Sequence, residues 1–224
     1  RETARVGMER VSIGSMAAGS PPAVTARVSR RSPSRTDSGY PRSVHIRVYL
    51  GHGASGDASS MAPYVQGLRD RGIETHGLQL PRRKAEAAVP ALLEQVPEGP
   101  GIVVGGHSFG GRVASLAAAG PRRDVAGLVC LSYPLHRPGA PDAEVRTAHW
   151  PDIACPVLLL SGESDPFARI DLLRGAVPRL ARAELVTYPR LGHGLRPVLG
   201  DVLDRIAAFV EGLAGGATSP PRGT

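Results

Sequence analysis

Short apolar runs alternate with stretches of helical periodicity from Val44 to Glu211, and no other feature limits the possible folds as much. Val44–Leu50 (VHIRVYL) has the β-branched and aromatic character of a strand. It leads into a glycine loop, Gly51–Gly56, and then into a helix expected from about Ser60 to Arg71, closed by Gly72. The unit then repeats. A strand is expected at Ile73–Leu80 and a helix at Lys84–Gln95, where Pro90 demands a late start or a kink. The apolar Ile102–Val104 runs through Gly105 and Gly106 into a helix over Phe109–Ala119. Strands follow at Val125–Ser132, Pro156–Ser161 and Ala183–Tyr188, with an irregular stretch over Tyr133–Ala154. Ile170, Leu173 and Val177 share one helical face, and Val202, Leu203, Ile206, Phe209 and Val210 form the stripe of a last helix, Asp201–Glu211.

Strands separated by helices at this spacing are parallel strands with crossover helices, and uniformly apolar strands belong to a sheet covered on both faces. The expected fold is a three-layer α/β/α sandwich with a mostly parallel sheet and no lid domain, occupying residues 44–211. Residues 1–43 lack periodicity and read as a disordered basic arm, with at most a short strand at Ala23–Val28; residues 212–224 read as a flexible tail.

Charge is concentrated in the arm. It holds eight Arg against Glu2, Glu9 and Asp37, so it carries +5 of the chain's net +7. Without interleaved aromatics or heptads it reads as a solvated tail, and neither a nucleic-acid nor a membrane partner is expected. A small-molecule substrate is the expected partner. Cys130 and Cys155 sit in or beside apolar runs and read as packed thiols. No apolar stretch follows the early arginines as it would in a secretory signal, so a cytoplasmic location is expected.

In open parallel sheets, chemistry gathers in the loops beyond the carboxyl ends of the strands. Gly106-His107-Ser108-Phe109-Gly110 is a G-x-S-x-G turn in such a place. Chance alone yields that pattern in roughly one chain in four of this composition, so context must carry the argument. Here a strand leads directly into the turn and a helix leaves it, as a turn that thrusts a serine hydroxyl outward requires. A serine becomes a nucleophile only when a base takes its proton, and the base needs a carboxylate to hold its tautomer. Asp165, in Ser161–Pro166, and His193, in Leu191–Gly194, follow later strand ends in the order Ser, Asp, His. The oxyanion needs two backbone N–H donors. Phe109 is one candidate, and Ala54 in the Gly51–Gly56 loop is the other.

The runs Gly51–Gly56, Gly106–Ser115 (GHSFGGRVAS), Leu131–Pro138 (LSYPLHRP), Gly162–Phe167 (GESDPF) and Leu191–Leu195 (LGHGL) resemble the small bacterial α/β-hydrolases of the dienelactone-hydrolase-like group. They also resemble the hydrolase-like subunit of a eukaryotic histone-acetyltransferase complex. The resemblance covers about residues 44–211 and implies serine-hydrolase chemistry but no particular substrate; the reading adopted is action on a small ester, thioester or lactone, without cofactor. It departs from the group in two ways. The group's first strands are not recognisable in residues 1–43, and Ser108 stands where the type member has a cysteine.

His52, His107, Tyr133, His136 and Trp150 are the remaining candidates, placed around the site as possible substrate-lining residues. For the histidines, a hydrogen-bonded loop role is the ordinary alternative. None forms a metal-binding pair such as H-x-H, so no metal is expected. For Asp165 the ordinary alternative is an Asx-turn before Pro166. Asp142, Asp152 and Asp171 are spare carboxylates. Arg82, Arg83 and Lys84 read as a solvated helix start, with selection of an anionic substrate as the alternative. Two other readings compete. Gly51–Gly56 also spells G-x-G-x-x-G, as in an NADP-binding Rossmann fold, although no Tyr-x-x-x-Lys pair is possible with Lys84 the only lysine. A non-catalytic binding protein on a hydrolase fold is the other.

Overall fold

The computed structural model describes residues 44–120, 124–140 and 145–216. The arm, Asp142 and the last eight residues lie outside the described residues.

Among the described residues six strands, β1 (Arg47–Gly51), β2 (Glu74–Leu78), β3 (Ile102–His107), β4 (Gly127–Leu131), β5 (Val157–Gly162) and β6 (Ala183–Tyr188), form one sheet in the order β2-β1-β3-β4-β5-β6. Every pairing is parallel. Among the described residues five α-helices connect or follow the strands: α1 (Ala62–Arg69), α2 (Ala85–Gln95), α3 (Phe109–Ala119), α4 (Ile170–Ala176) and α5 (Leu199–Gly216).

Alternation along the strands divides the core. Val48, Leu50, Val103, Val129, Leu131, Leu158 and Leu160 point to one face, where Leu68 of α1 and Val202, Ile206 and Val210 of α5 cover them. Tyr49, Ile102, Val104, Leu128, Cys130, Val157 and Leu159 point to the other, under Leu92 of α2, Val113 and Ala117 of α3 and Leu173 of α4. Successive strand residues face opposite ways, so uniformly apolar strands need a cover on each side. The three-layer α/β/α sandwich inferred from the sequence is the fold observed.

Boundaries differ where tertiary contacts decide them. The strand expected to end near Gly106 runs to His107, because Gly106 and His107 still pair with Cys130 and Leu131. The helix expected from Ser60 is two pieces. Asp57 caps a short 3-10 turn, Ala58–Met61, and α1 begins only at Ala62. Pro90 neither delays nor ends α2, which starts at Ala85 and passes through it. Pro90 is exposed while Ala85, Ala88 and Leu92 are buried, so the lost hydrogen bond faces solvent. The last helix continues five residues beyond Glu211, into the stretch read as tail, because Leu213 and Ala214 extend the apolar stripe. Among the described residues no helix is long and apolar enough to cross a membrane.

Candidate active site

The register brings the loops of interest together at one end of the sheet. Gly51, the last residue of β1, pairs with Gly106 of β3, so the Gly51–Gly56 loop and the Ser108 turn leave the sheet side by side. Gly162 pairs with Tyr188, which sets the Asp165 and His193 loops against each other. Two backbone bonds tie those loops: Glu163 N–H donates to Tyr188 O (3.0 Å) and Ser164 N–H to Leu191 O (2.9 Å).

Ser108 has φ 50° and ψ −109°, a conformation rarely adopted by a residue with a side chain. Its N–H donates to Leu131 O at 2.8 Å and its carbonyl accepts from Arg112 N–H at 3.0 Å, so the strained turn is held from both sides. The flanking glycines are required by close approach. A Cβ on Gly106 or on Gly110 would lie 2.2 Å from the Gly51 carbonyl oxygen. Gly106 also has φ 154°, a backbone suited to glycine.

Ser108, His193 and Asp165 form one hydrogen-bonded line. The Asp165 carboxyl group is completely buried and both its oxygens lie within reach of His193 Nδ1, at 2.9 and 2.8 Å. A carboxylate only accepts, so Nδ1 carries the proton and Nε2 accepts from the Ser108 hydroxyl at 2.8 Å. Asp165 Oδ1 also accepts from Phe167 N–H at 2.8 Å, an Asx-turn. One carboxylate thus closes the Asx-turn and accepts from His193 at the same time. Asp152 and Asp171 take no part in this line: Asp171 accepts from Arg169 at the surface and Asp152 is exposed at the end of the 3-10 turn Trp150–Asp152, while Asp142 lies outside the described residues.

A cavity of about 240 Å³ opens over Ser108, and Ala54 and Phe109 line it. Phe109 opens α3, so its N–H is one of the unpaired donors of a helix's first turn. Neither N–H is taken by a backbone acceptor among the described residues.

Four of the five residues placed as possible lining serve other ends, and the fifth stands behind the site. Tyr133 and Trp150 are 1% exposed and pack edge to face in the core; Tyr133 Oη donates to the Arg146 carbonyl. Both turn away from the cleft because each bulky ring, with its polar tip satisfied, gains more from burial. His52 is buried. Leu80 N–H donates to its Nε2 (3.0 Å), which leaves Nδ1–H to donate to Gly53 O (2.7 Å). His136 is buried likewise, with Nε2 accepting from Arg169 N–H (3.0 Å) and Nδ1–H donating to Arg137 O (2.8 Å). These two imidazoles are braces. One fixes the Gly51–Gly56 loop to the end of β2, and the other fixes the segment after β4 to the segment after Asp165. His107 Nε2 donates to the His193 carbonyl at 3.0 Å, its ring 5.1 Å from that of His193. Burial holds its pKa below the ordinary histidine value, so it acts here as a neutral donor.

Other residues of the site escaped the sequence reading. The Phe167 ring lies 4.3 Å from the His193 imidazole and shields it. Its position two residues after Asp165 was the available signal. Arg112 also lines the Ser108 cavity, as its place one helical turn after Ser108 allows. Arg146 and Pro134 line it too, and no local pattern marks them.

The dinucleotide reading of Gly51–Gly56 fails on geometry. A phosphate loop must lead straight into a helix N-terminus that is free to bind an anion. Here the next turn begins at Ala58, and its first donors are already met: Ala58 N–H donates to Gln79 Oε1 at 3.0 Å and Ser59 N–H to Asp57 Oδ1 at 2.9 Å. Among the described residues no group of three or more His, Cys, Asp or Glu side chains is placed to hold a metal ion.

Known structures share this architecture. The chain is similar to the monoacylglycerol lipase of Paleococcus ferrophilus, with a TM-score of 0.61 at 17% identity over 75% of this chain and 93% of that one. A thermophilic esterase from Thermogutta terrifontis gives 0.60 at 18% identity, covering 75% and 90%. Est1E from Butyrivibrio proteoclasticus, solved with ferulic acid bound, gives 0.62 at 18% identity, covering 76% and 90%. At these identities the likeness is one of fold. The family assignment comes from sequence: residues 63–198 match the alpha/beta hydrolase domain family, and the chain belongs to it.

Proposed function

We propose that the protein is a serine hydrolase acting on a small ester, thioester or lactone through an acyl-enzyme on Ser108. The observation that carries this reading is the unbroken line from buried Asp165 through His193 to a strained serine that opens into a cavity.

In this mechanism Ser108 Oγ attacks the substrate carbonyl carbon while its proton passes to His193 Nε2. The carbonyl π electrons move to oxygen, and the N–H groups of Ala54 and Phe109 stabilise that oxyanion. Collapse breaks the bond to the leaving oxygen or sulfur, which takes the proton from Nε2. Water then repeats the sequence on the acyl-enzyme and frees the acid. Asp165 keeps the imidazole in the productive tautomer and stabilises the imidazolium. His107, His52 and His136 position backbone and touch no reacting atom. On this reading the protein stands within the α/β-hydrolases nearest the dienelactone-hydrolase-like group. We place it in a reducing compartment, with which the buried free thiols of Cys130 and Cys155 agree.

Labelling with a fluorophosphonate, followed by a chain-length series of p-nitrophenyl esters, tests the reading. Ser108→Ala is expected to abolish labelling and nearly all hydrolysis, a loss of about 10⁶ in kcat, while the protein stays folded. A folded Ser108→Ala protein with wild-type esterase activity would refute it.

A further inference from the structure

The cavity over Ser108 is lined by four cations from three separate segments. Arg83 and Lys84 come from the stretch before α2, Arg112 from α3, and Arg146 from the segment before Trp150. Glu86 is the one carboxylate of the described residues paired with any of them, and it accepts from Arg112. Arg83, Lys84 and Arg146 have no ion-pair partner among the described residues. Arg112 Nε is buried without a hydrogen-bond partner among them.

These charges repel one another. Burial, then Arg112 and Arg137, holds the Arg146 guanidinium below the ordinary arginine value. Burial and Arg112 likewise push nearby His149 down to about 4, so it adds no charge near neutral pH. Like charges converging on a small concave surface raise its potential and concentrate ions of opposite sign there. Arginine forks and a lysine ammonium together suit a carboxylate.

Resting on the serine-hydrolase reading above, we infer that the substrate carries a carboxylate within a few carbons of the scissile carbonyl, held by Arg83, Lys84, Arg112 and Arg146. The about 240 Å³ cavity leaves room for a short chain between the two groups. An apolar groove lined by Leu92, Val96 and Val125 lies elsewhere, includes none of Ser108, His193 or Asp165, and has no such charge. Two exposed cations that by sequence open a solvated helix thereby become selectors of substrate.

The test compares matched esters that differ in charge. Mono-p-nitrophenyl adipate is set against p-nitrophenyl hexanoate for a charge on the acyl half. For a charge on the leaving group, 4-acetoxybenzoate is set against its methyl ester. With spontaneous hydrolysis subtracted, kcat/KM for the anionic member of one pair is expected to exceed its neutral partner by about tenfold at low ionic strength. The excess should shrink as salt rises, since screening shortens the range of such attraction from about 30 Å at 0.01 M to about 3 Å at 1 M. In the Arg83→Gln/Lys84→Gln double variant, both sites being exposed, the anionic-to-neutral ratio should fall toward one. Suppose Ser108 reacts with a fluorophosphonate but the anionic esters are turned over no faster than the neutral ones, or not at all. That result overturns this inference and leaves the hydrolase reading standing. Ser108 unlabelled with no ester hydrolysed overturns both, and a preference kept in full by the double variant overturns the assignment to these cations.

Discussion

Asp165→Asn separates a catalytic carboxylate from one that merely closes a turn. Asp165 Oδ1 accepts from Phe167 N–H at 2.8 Å, and this backbone donor fixes which end of an asparagine amide points where. With the amide oxygen kept on Phe167 N–H, the amide NH₂ faces His193 Nδ1 and donates to it. Turning the amide over would set two donors against each other at Phe167 in a fully buried position, at a cost of about 1–3 kcal/mol. The imidazole therefore adopts the tautomer with its proton on Nε2, facing Ser108 Oγ at 2.8 Å, and cannot take the serine proton. The expected loss is about 10⁴ in kcat, equivalent to about 5.5 kcal/mol of barrier. Size and the Asx-turn are retained, so the urea midpoint should move little. The assay is kcat against pH for a neutral p-nitrophenyl ester, with partial recovery expected at high pH, where hydroxide deprotonates the serine without the histidine. Full activity in a folded Asp165→Asn protein would refute the reasoning, because no productive tautomer would then depend on this carboxylate.

Two further outcomes follow from packing and burial. Gly110→Ala should lower stability by about 3 kcal/mol in urea unfolding, because the new Cβ meets a backbone oxygen of β1 at 2.2 Å that cannot yield; a wild-type midpoint would contradict it. For His149, burial lowers the folded-state pKa from 6.5 to about 4. The unfolded chain therefore takes up its proton first as pH falls, and this group withdraws stability between pH 6.5 and about 4 while contributing none above pH 6.5. Discounted for partial exposure, the effect is about 1–2 kcal/mol. His149→Gln, whose amide can still donate to Ser115 Oγ, should flatten that part of the stability-versus-pH curve, and an unchanged acid limb would refute the assignment.

The layers of the fold and the Ser108 turn were legible along the chain because both are short-range properties. Period-two and helical patterning distribute apolar residues such as Val103 and Val104 to opposite faces whatever the rest of the chain does. The strand, turn and helix around Ser108 lie within a few residues, and the spacing of Asp165 and His193 at later strand ends follows from parallel topology. Orientation within irregular segments was not legible. Nothing local distinguishes His52 and His136, locked as braces by distant N–H donors at Leu80 and Arg169, from histidines facing a substrate. Tyr133 and Trp150 fall in the stretch expected to line a cleft and are buried against each other instead. The gathering of Arg83, Lys84, Arg112 and Arg146 around Ser108 depends on segments up to 63 residues apart in the numbering. Periodicity sets where a side chain points only where the backbone repeats; in loops, direction is decided by the long-range contacts that bring the segments together.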